Sequence, residues 1–421
     1  MPKKPPPEGK QTSETAAPDT EAQATPPRGV VNRDFIRLFL GFHFFMLNVS
    51  IFNLLPHYLE LRGASEALYG AVAGTAGWAN LFFALLLAYR ADYWSRKATV
   101  MFYLFVALCG NAVALLAMSR GIEWFFPSRA LHGIAMALGM PIIFAWTIEV
   151  SPLHRRKEGL AWLGIAGLSA NSLGPLIGEL ILSMQPQPVS AGSYSLVFLT
   201  ATVFQGVALA IFLTTRNRWA VAEEEGAGRG LASILFRRES FPVLLIGVSF
   251  GGVFGVLMSF GKNYTSALGL AYASVLFSSY SIGAIISRIF ITPLTTYLTP
   301  RHMIPFGLLG IGISQFMLSW AQGYPLLGGG GLVYGLSHGI LYPTLFMRFL
   351  EFQRPSEFGR AAILFQGSFS GGWGLFPVVG GLMVQSTGFP ALFSVLGAVT
   401  GVAILLHLRT ERLTRQALVK Q

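Results

Sequence analysis

Cysteine and charge are what this chain has least of. Cys109 is its single cysteine, so no disulfide can close within the chain, and neither a thiolate metal cluster nor a redox pair can form. It lies in an apolar run, where a lone thiol packs as a small hydrophobe. Asp, Glu, Lys and Arg together make up 12% of the residues, about half of the ~25% a soluble domain carries. Hydrophobic residues make up 53% and mean hydropathy is +0.56, which excludes a water-soluble globule and points to an integral membrane protein. Nucleotide motifs are missing too. The glycine run Gly328 to Gly331 sits inside an apolar segment with no Lys-Ser/Thr after it, so it reads as helix packing. No nucleophile, base and orienting group recur at suggestive spacing, which argues against an enzyme. Acidic residues number 19 against 30 basic ones, a net charge of +11. The basic residues cluster at the ends of apolar runs, a topology signal rather than a stripe for nucleic acid.

Residues 1–33 are rich in Pro, Glu, Thr, Ala and Lys without apolar periodicity, and read as a disordered cytoplasmic tail. No apolar core follows the basic start closely, so the expectation is an uncleaved first span rather than a signal peptide. Twelve apolar segments follow, near 35–58, 68–89, 99–118, 124–150, 159–184, 194–214, 241–261, 274–297, 303–321, 325–349, 361–386 and 389–408. Most reach the ~20 residues that cross a bilayer core. Even-numbered connections carry Arg90, Arg96, Lys97, Arg155, Arg156, Lys157, Arg216, Arg218, Arg229, Arg237, Arg238, Arg301, Arg354 and Arg360. The odd-numbered ones offer only Arg62, Arg120 and Lys262. The asymmetry predicts that both termini are cytoplasmic. The expected organisation is an all-α membrane protein of twelve transmembrane helices in two pseudo-symmetric six-helix bundles, at 34–215 and 241–409. A linker at 216–240 with an amphipathic piece from Leu231 to Arg238 joins them, and residues 410–421 form a second cytoplasmic tail.

The halves repeat one another. His132-Gly133 in the fourth span has a counterpart in His338-Gly339 of the tenth, and Pro175 and Gly178 match Pro377 and Gly380. Such a repeat places a site at the interface of the halves near mid-membrane. The stretch from Trp124 to Glu179 concentrates the unusual features. It holds two spans, the basic hairpin from Ser151 to Glu158, and two charges, Arg129 and Glu179, that a membrane helix carries only at a cost.

On these motifs the chain resembles the major facilitator superfamily over about residues 34–410. The run from Ala88 to Lys97 is similar to the family's signature hairpin, with Asp92, Arg96 and Lys97 at its acidic and basic positions and Ala88 and Ser95 replacing its glycines. Arg129-Ala-Leu-His-Gly133 matches the Arg-x-x-x-Gly pattern of the fourth span. Gly174-Pro175-x-x-Gly178 matches a fifth-span motif that the resemblance associates with exporters and antiporters. The chain departs from the family in three places. The second hairpin has decayed to Arg288, with Tyr297 where an Asp is expected; the first span lacks an embedded carboxylate; and Glu179 replaces a customary glycine.

The resemblance makes Asp92, Arg96 and Lys97 a gate latch that pairs across the halves in one conformation, against the plainer reading of a solvated loop. It makes Gly174 and Pro175 a bend in close helix contact that conditions gating. It also places the first, fourth and tenth spans around the cavity, so that His43, Asn48, Asn53, His132 and His338 line the path. There the histidines either relay protons and bind solute or make interhelical hydrogen bonds. No carboxylate or cysteine accompanies the three histidines, so no metal is expected. Arg129 and Glu179 lie at similar depth in antiparallel spans. Either they form a static salt bridge, or Arg129 holds an anionic substrate group, or Glu179 accepts a proton whose binding releases Arg129. Tyr334, Tyr342 and Gln366 complete a polar-aromatic lining.

The function expected is secondary active transport of a small organic solute by alternating access, as proton-coupled export (an efflux antiporter). Uptake symport or uncoupled facilitation is the alternative, and a transporter-like sensor or scaffold a more distant one. No cofactor is expected. The partners are the solute, protons and the lipid bilayer, in a monomer, multi-pass in the cell inner (plasma) membrane.

Overall fold

The computed structural model describes residues 30–87, 95–216, 231–291, 299–354 and 357–419. Asp92 and Arg90 lie outside these residues. Within them the chain is almost wholly helical. Helix α1 (Arg33–Ile51) passes through a 3-10 turn at Phe52–Leu54 into α2 (Leu55–Leu61). Then come α3 (Glu66–Leu87), α4 (Arg96–Arg120), α5 (Phe125–Val150), α6 (Arg156–Ser183) and α7 (Tyr194–Leu213). After the short α8 (Leu231–Leu235) follow α9 (Ser240–Ala267), α10 (Ser274–Ile286) with a π turn at Ser287–Ile291, α11 (Pro300–Ser319), α12 (Tyr324–Glu351) and α13 (Phe358–Val419). Gly388, at φ 81°, breaks α13 into two antiparallel pieces, a left-handed backbone that glycine adopts without a Cβ clash. Each of the twelve expected segments thus has a helical counterpart. Among the described residues nine helices have the length and hydropathy to cross a bilayer.

Side chains are sorted inside out relative to a soluble protein. Phe82, Phe306 and Leu405 are 61%, 70% and 68% exposed on the outer surface, whereas Asn48, Asn111 and Gln205 are buried. That pattern needs an apolar solvent outside, with polar groups satisfied by one another within.

In the first half α1 packs on α6 and α7, α4 on α5 and α7, and α3 on α5. In the second, α9 and α11 pack on α13, and α10 and α11 on α12. The two main seams between the halves are α3 against α13 and α6 against α10, and α2 with the turn before it also meets α9. The first is a close backbone approach made possible by glycine. A Cβ at Gly74 would lie 2.3 Å from the carbonyl oxygen of Gly374, and one at Gly77 2.3 Å from its backbone nitrogen. Neither backbone atom can move aside alone, so Gly74→Val should cost the ~1–3 kcal/mol typical of overpacking and lower the melting temperature in detergent. Gly206→Ala, at a position with nothing within 4 Å, should leave it unchanged.

The helix ends carrying most of the basic residues define one face, here the basic face; the opposite ends form the far face. At the basic face Arg237 donates to Gln353 (2.8 Å) and Glu357 (3.0 Å) and also to the Phe352 carbonyl, fastening the end of the linker to the second half. The Arg354 backbone N–H, with Arg237 assisting, holds the Glu357 carboxyl below its ordinary value. A carboxyl depressed in the folded state stabilises fully above the ordinary carboxylate range. The contribution is lost as pH falls through the lower folded value, so Glu357→Gln should flatten the acid limb of a stability-versus-pH curve.

Two expectations change. The amphipathic piece is helical only over Leu231–Leu235, with Ile234 fully buried in the protein core and Phe236 72% exposed. Helix α9 runs on to Ala267, so Lys262 and Asn263, read as loop residues, sit inside it and are buried.

Candidate functional site

A chain of buried polar side chains crosses the first half. Gln205 on α7 donates to the backbone carbonyl of Leu104 (2.7 Å), which can only accept. That fixes the Gln205 amide, so its oxygen accepts from Asn48 Nδ2 (3.0 Å). Asn48 Oδ1 in turn accepts from Asn111 Nδ2 (2.8 Å), and Asn111 Oδ1 is left facing His132 Nε2 (2.8 Å). Two acceptors cannot bond, so Nε2 carries the proton and the bare Nδ1 accepts from Arg129 Nη1 (3.3 Å). The tautomer, assigned from this network, is set four side chains away by one carbonyl. His132 is thereby a neutral ring that orients Arg129, the interhelical-bond alternative of the two open for it. Asn111→Leu strands the His132 N–H and the Asn48 oxygen. It should cost about 1–2 kcal/mol and free the tautomer, visible in imidazole ¹⁵N shifts.

Arg129 is buried, with its Nε lacking any partner among the described residues and its guanidinium carbon 5.7 Å from the Phe52 ring centre. It does not pair with Glu179, which removes the static salt bridge between them. No carboxylate among the described residues acts on it. Beside it lies a cavity of about 10 Å³, room for one water, lined by Phe52, Asn53, Tyr69, Arg129, Ser259 and Trp373. The site in this conformation is collapsed around a cation that lacks an anion.

Glu179 is instead a bridge between the halves. Its carboxylate accepts from Lys262 Nζ (3.0 Å) and from the backbone N–H groups of Ala273 (2.7 Å) and Ser274 (2.9 Å) at the start of α10. A helix N-terminus with its unpaired N–H groups suits an anion, and the ammonium completes the set. Lys262 also donates to the Ala271 carbonyl (2.8 Å). Nearby Glu60 accepts from Asn263 (2.5 Å), and Asn53 donates to Met258 Sδ (3.7 Å), both again between halves. Sequence reading missed Lys262 because it was counted as a loop charge. Its place one residue beyond an apolar run was the available signal.

In the second half His338 bonds the Tyr280 hydroxyl (2.7 Å) between the rings of Phe250 and Phe254. Tyr342 donates to Gln366 (2.6 Å), Gln366 reaches Ser370 (3.5 Å), and Ser370 donates to Asn80 across the seam (3.2 Å). Tyr334 is fully buried, its hydroxyl without a partner among the described residues. His43 donates from Nδ1 to the Ala166 carbonyl (2.9 Å), tying α1 to α6. Each histidine is engaged by separate partners. Gly174 admits the Ser50 hydroxyl, whose oxygen would lie 2.0 Å from a Cβ there, and α6 continues unbroken through Pro175.

At the basic face the remaining latch residues rest within their own half. Arg96 bonds Glu149 (2.9 Å), and Lys97 caps the end of α7 through the carbonyls of Leu213 (2.6 Å) and Thr215 (2.8 Å). Between described residues, the hydrogen bonds and ion pairs at the basic ends stay within one half, whereas at the far ends some of them, from Glu179, Lys262, Glu60 and Asn263, cross between halves.

Two bundles joined by glycine-lined seams around a buried arginine define a transporter-type fold. Residues 38–277 and 263–420 match the sequence profile of the Major Facilitator Superfamily, and the chain belongs to that family. It is 24% identical over 356 residues to the staphylopine export protein of Staphylococcus aureus strain Mu50, covering 80% of this chain and 85% of that one. It is also 24% identical over 380 residues to major facilitator superfamily domain-containing protein 10 of Mus musculus, covering 81% and 78%. Among solved structures, the human organic anion transporter MFSD10 (TETRAN) superposes with a TM-score of 0.65 at 18% identity, covering 89% of this chain and 99% of that one. A nucleoside transporter NupG superposes with 0.68 at 15% identity, covering 90% and 99%. At these identities the structural likeness speaks for the fold.

Proposed function

We propose that the protein exports a small organic solute across the cell inner membrane by alternating access, with residues 34–215 and 241–409 rocking about the Arg129 cavity. The observation that carries the reading is the asymmetry of the bonds between halves. The far face is held shut by Glu179, Lys262, Glu60 and Asn263, while the bonds that Arg96 and Lys97 make with described residues lie inside their own half. A single two-sided scaffold closes one end at a time in this way. With the basic ends read as cytoplasmic from the charge asymmetry, the shut gate would face the outer surface. Export is supported by the Gly174-Pro175 motif and by the likeness to a staphylopine export protein.

Proton coupling would act through Glu179. A proton on its carboxyl removes the charge that Lys262 and the α10 N-terminus hold, and the gate loosens. The test is solute flux in sealed proteoliposomes loaded with a pH dye. Coupled export predicts solute-triggered proton movement that vanishes in Glu179→Gln; flux indifferent to an imposed pH gradient would overturn the coupling. Uncoupled facilitation is favoured by one observation, that three protein donors already occupy the Glu179 carboxylate.

A further inference from the structure

The structure holds a second, half-buried cation with no anionic partner among the described residues. Arg288 sits on the π turn Ser287–Ile291 that ends α10, the kind of local irregularity that recurs at functional sites. Its guanidinium lies against α6 of the other half, over Gly164. A Cβ there would be 2.1 Å from Nη1 and 3.0 Å from Cζ, so the glycine provides the bed. Arg288 makes no hydrogen bond or ion pair with any described residue, and its Nε is sealed from solvent without an acceptor. The groups within electrostatic reach are Tyr280, Tyr342 and His338; no carboxylate is among them. The hydroxyls of Tyr280 and Tyr342 are already bonded to His338 and Gln366.

A guanidinium offers five N–H donors, and withdrawing it from water costs heavily unless an anion answers it. We infer that Arg288 is an anion-binding station on the solute path, and that the solutes are organic oxyanions: carboxylates, phosphates or sulfonates. The position along the path rests on the transport reading above. Arg288 lies 14 residues into its helix from Ser274 at the far face and Arg129 lies 4 from Phe125. At 1.5 Å per residue these are depths of roughly 21 and 6 Å, so the Cα atoms of the two arginines stand roughly 15 Å apart along the axis. One carboxylate cannot touch both. They act in series, Arg288 met first from the basic face and Arg129 next, one cation from each half.

The test is thermal unfolding of the purified full-length chain in neutral detergent with aromatic probes of similar size. Benzoate, phenyl phosphate and benzenesulfonate are set against benzyl alcohol and benzyltrimethylammonium. At least one oxyanion should raise the melting temperature saturably, and the neutral and cationic probes should not. Arg288→Gln should weaken that apparent affinity at least about tenfold, the worth of a charge-assisted bond, and Arg288→Lys by less. Without ligand, Arg288→Gln should melt at or above the wild type, because an uncompensated charge is removed. Stabilisation equal in wild type and Arg288→Gln, no preference for oxyanions, or a ligand-free Arg288→Gln that melts well below wild type would each overturn the assignment. Stabilisation by phosphatidylglycerol alone would make the partner a lipid headgroup and overturn a soluble solute. Oxyanion binding lost in Arg288→Gln together with no flux in proteoliposomes would keep the station and remove the transport reading. Flux with oxyanion-indifferent stability would do the reverse.

Discussion

Glu179→Ala is expected to open the far face. The substitution leaves Lys262 buried with only the Ala271 carbonyl, and strips the α10 N-terminus of the carboxylate on Ala273 and Ser274. Breaking a buried ion pair by removing one partner costs about 3–5 kcal/mol. Here that cost falls on the closed conformation, since an open far face lets water reach Lys262. In a Cys109→Ser background, a cysteine at Ser259 on the cavity wall reports the change. Its reaction with an impermeant maleimide from the far side should accelerate more than tenfold in Glu179→Ala. Lys262→Ala should act similarly, and the double variant should add little, as expected of two residues in one contact. Unchanged labelling in Glu179→Ala would show that the bridge is incidental to closure.

The second large effect is at Arg129. Arg129→Ala removes the one cation beside the cavity and should lower solute flux by about 10–100-fold, the range of a charge-assisted hydrogen bond made in a buried site. Arg129→Lys should recover part of it, because an ammonium keeps the charge but loses the planar fork. Stability should not follow activity. The guanidinium is buried with Nε unpaired and no carboxylate near, so Arg129→Gln should melt no lower than the wild type. Flux retained in Arg129→Ala with a collapse in melting temperature would make Arg129 a structural residue.

Much of the fold could be read from the chain, because membrane spans are written as long apolar runs. All twelve expected segments match helices, and Gly388 alone divides the last two. Lys262 was misread for a physical reason. Helix α9 continues past its apolar run because the other half supplies the ammonium with a carboxylate, and no local pattern announces a partner 83 residues away. Whether Arg129 pairs with Glu179 stayed open in the sequence, since equal depth in neighbouring spans does not tell which way a side chain turns. Asn111 and Gln205 were visible as lone amides in apolar runs. What stayed hidden was their order, fixed by the Leu104 carbonyl, which makes His132 a positioning residue for Arg129. Arg288 read as the relic of a decayed hairpin; only its contact with Gly164 and its lack of acceptors set it apart.

Alternating access itself is tested most directly by distances at the two faces. In the Cys109→Ser background, spin labels at Met184 and Trp320, 71% and 72% exposed at the far ends of α6 and α11, report one gate. Labels at Leu153 and Phe236, 77% and 72% exposed at the basic ends, report the other. On introducing Glu179→Gln, pulsed dipolar spectroscopy should show the far-face distance lengthening while the basic-face distance shortens. Both distances unchanged, or both moving in the same direction, would contradict two halves rocking about a central site.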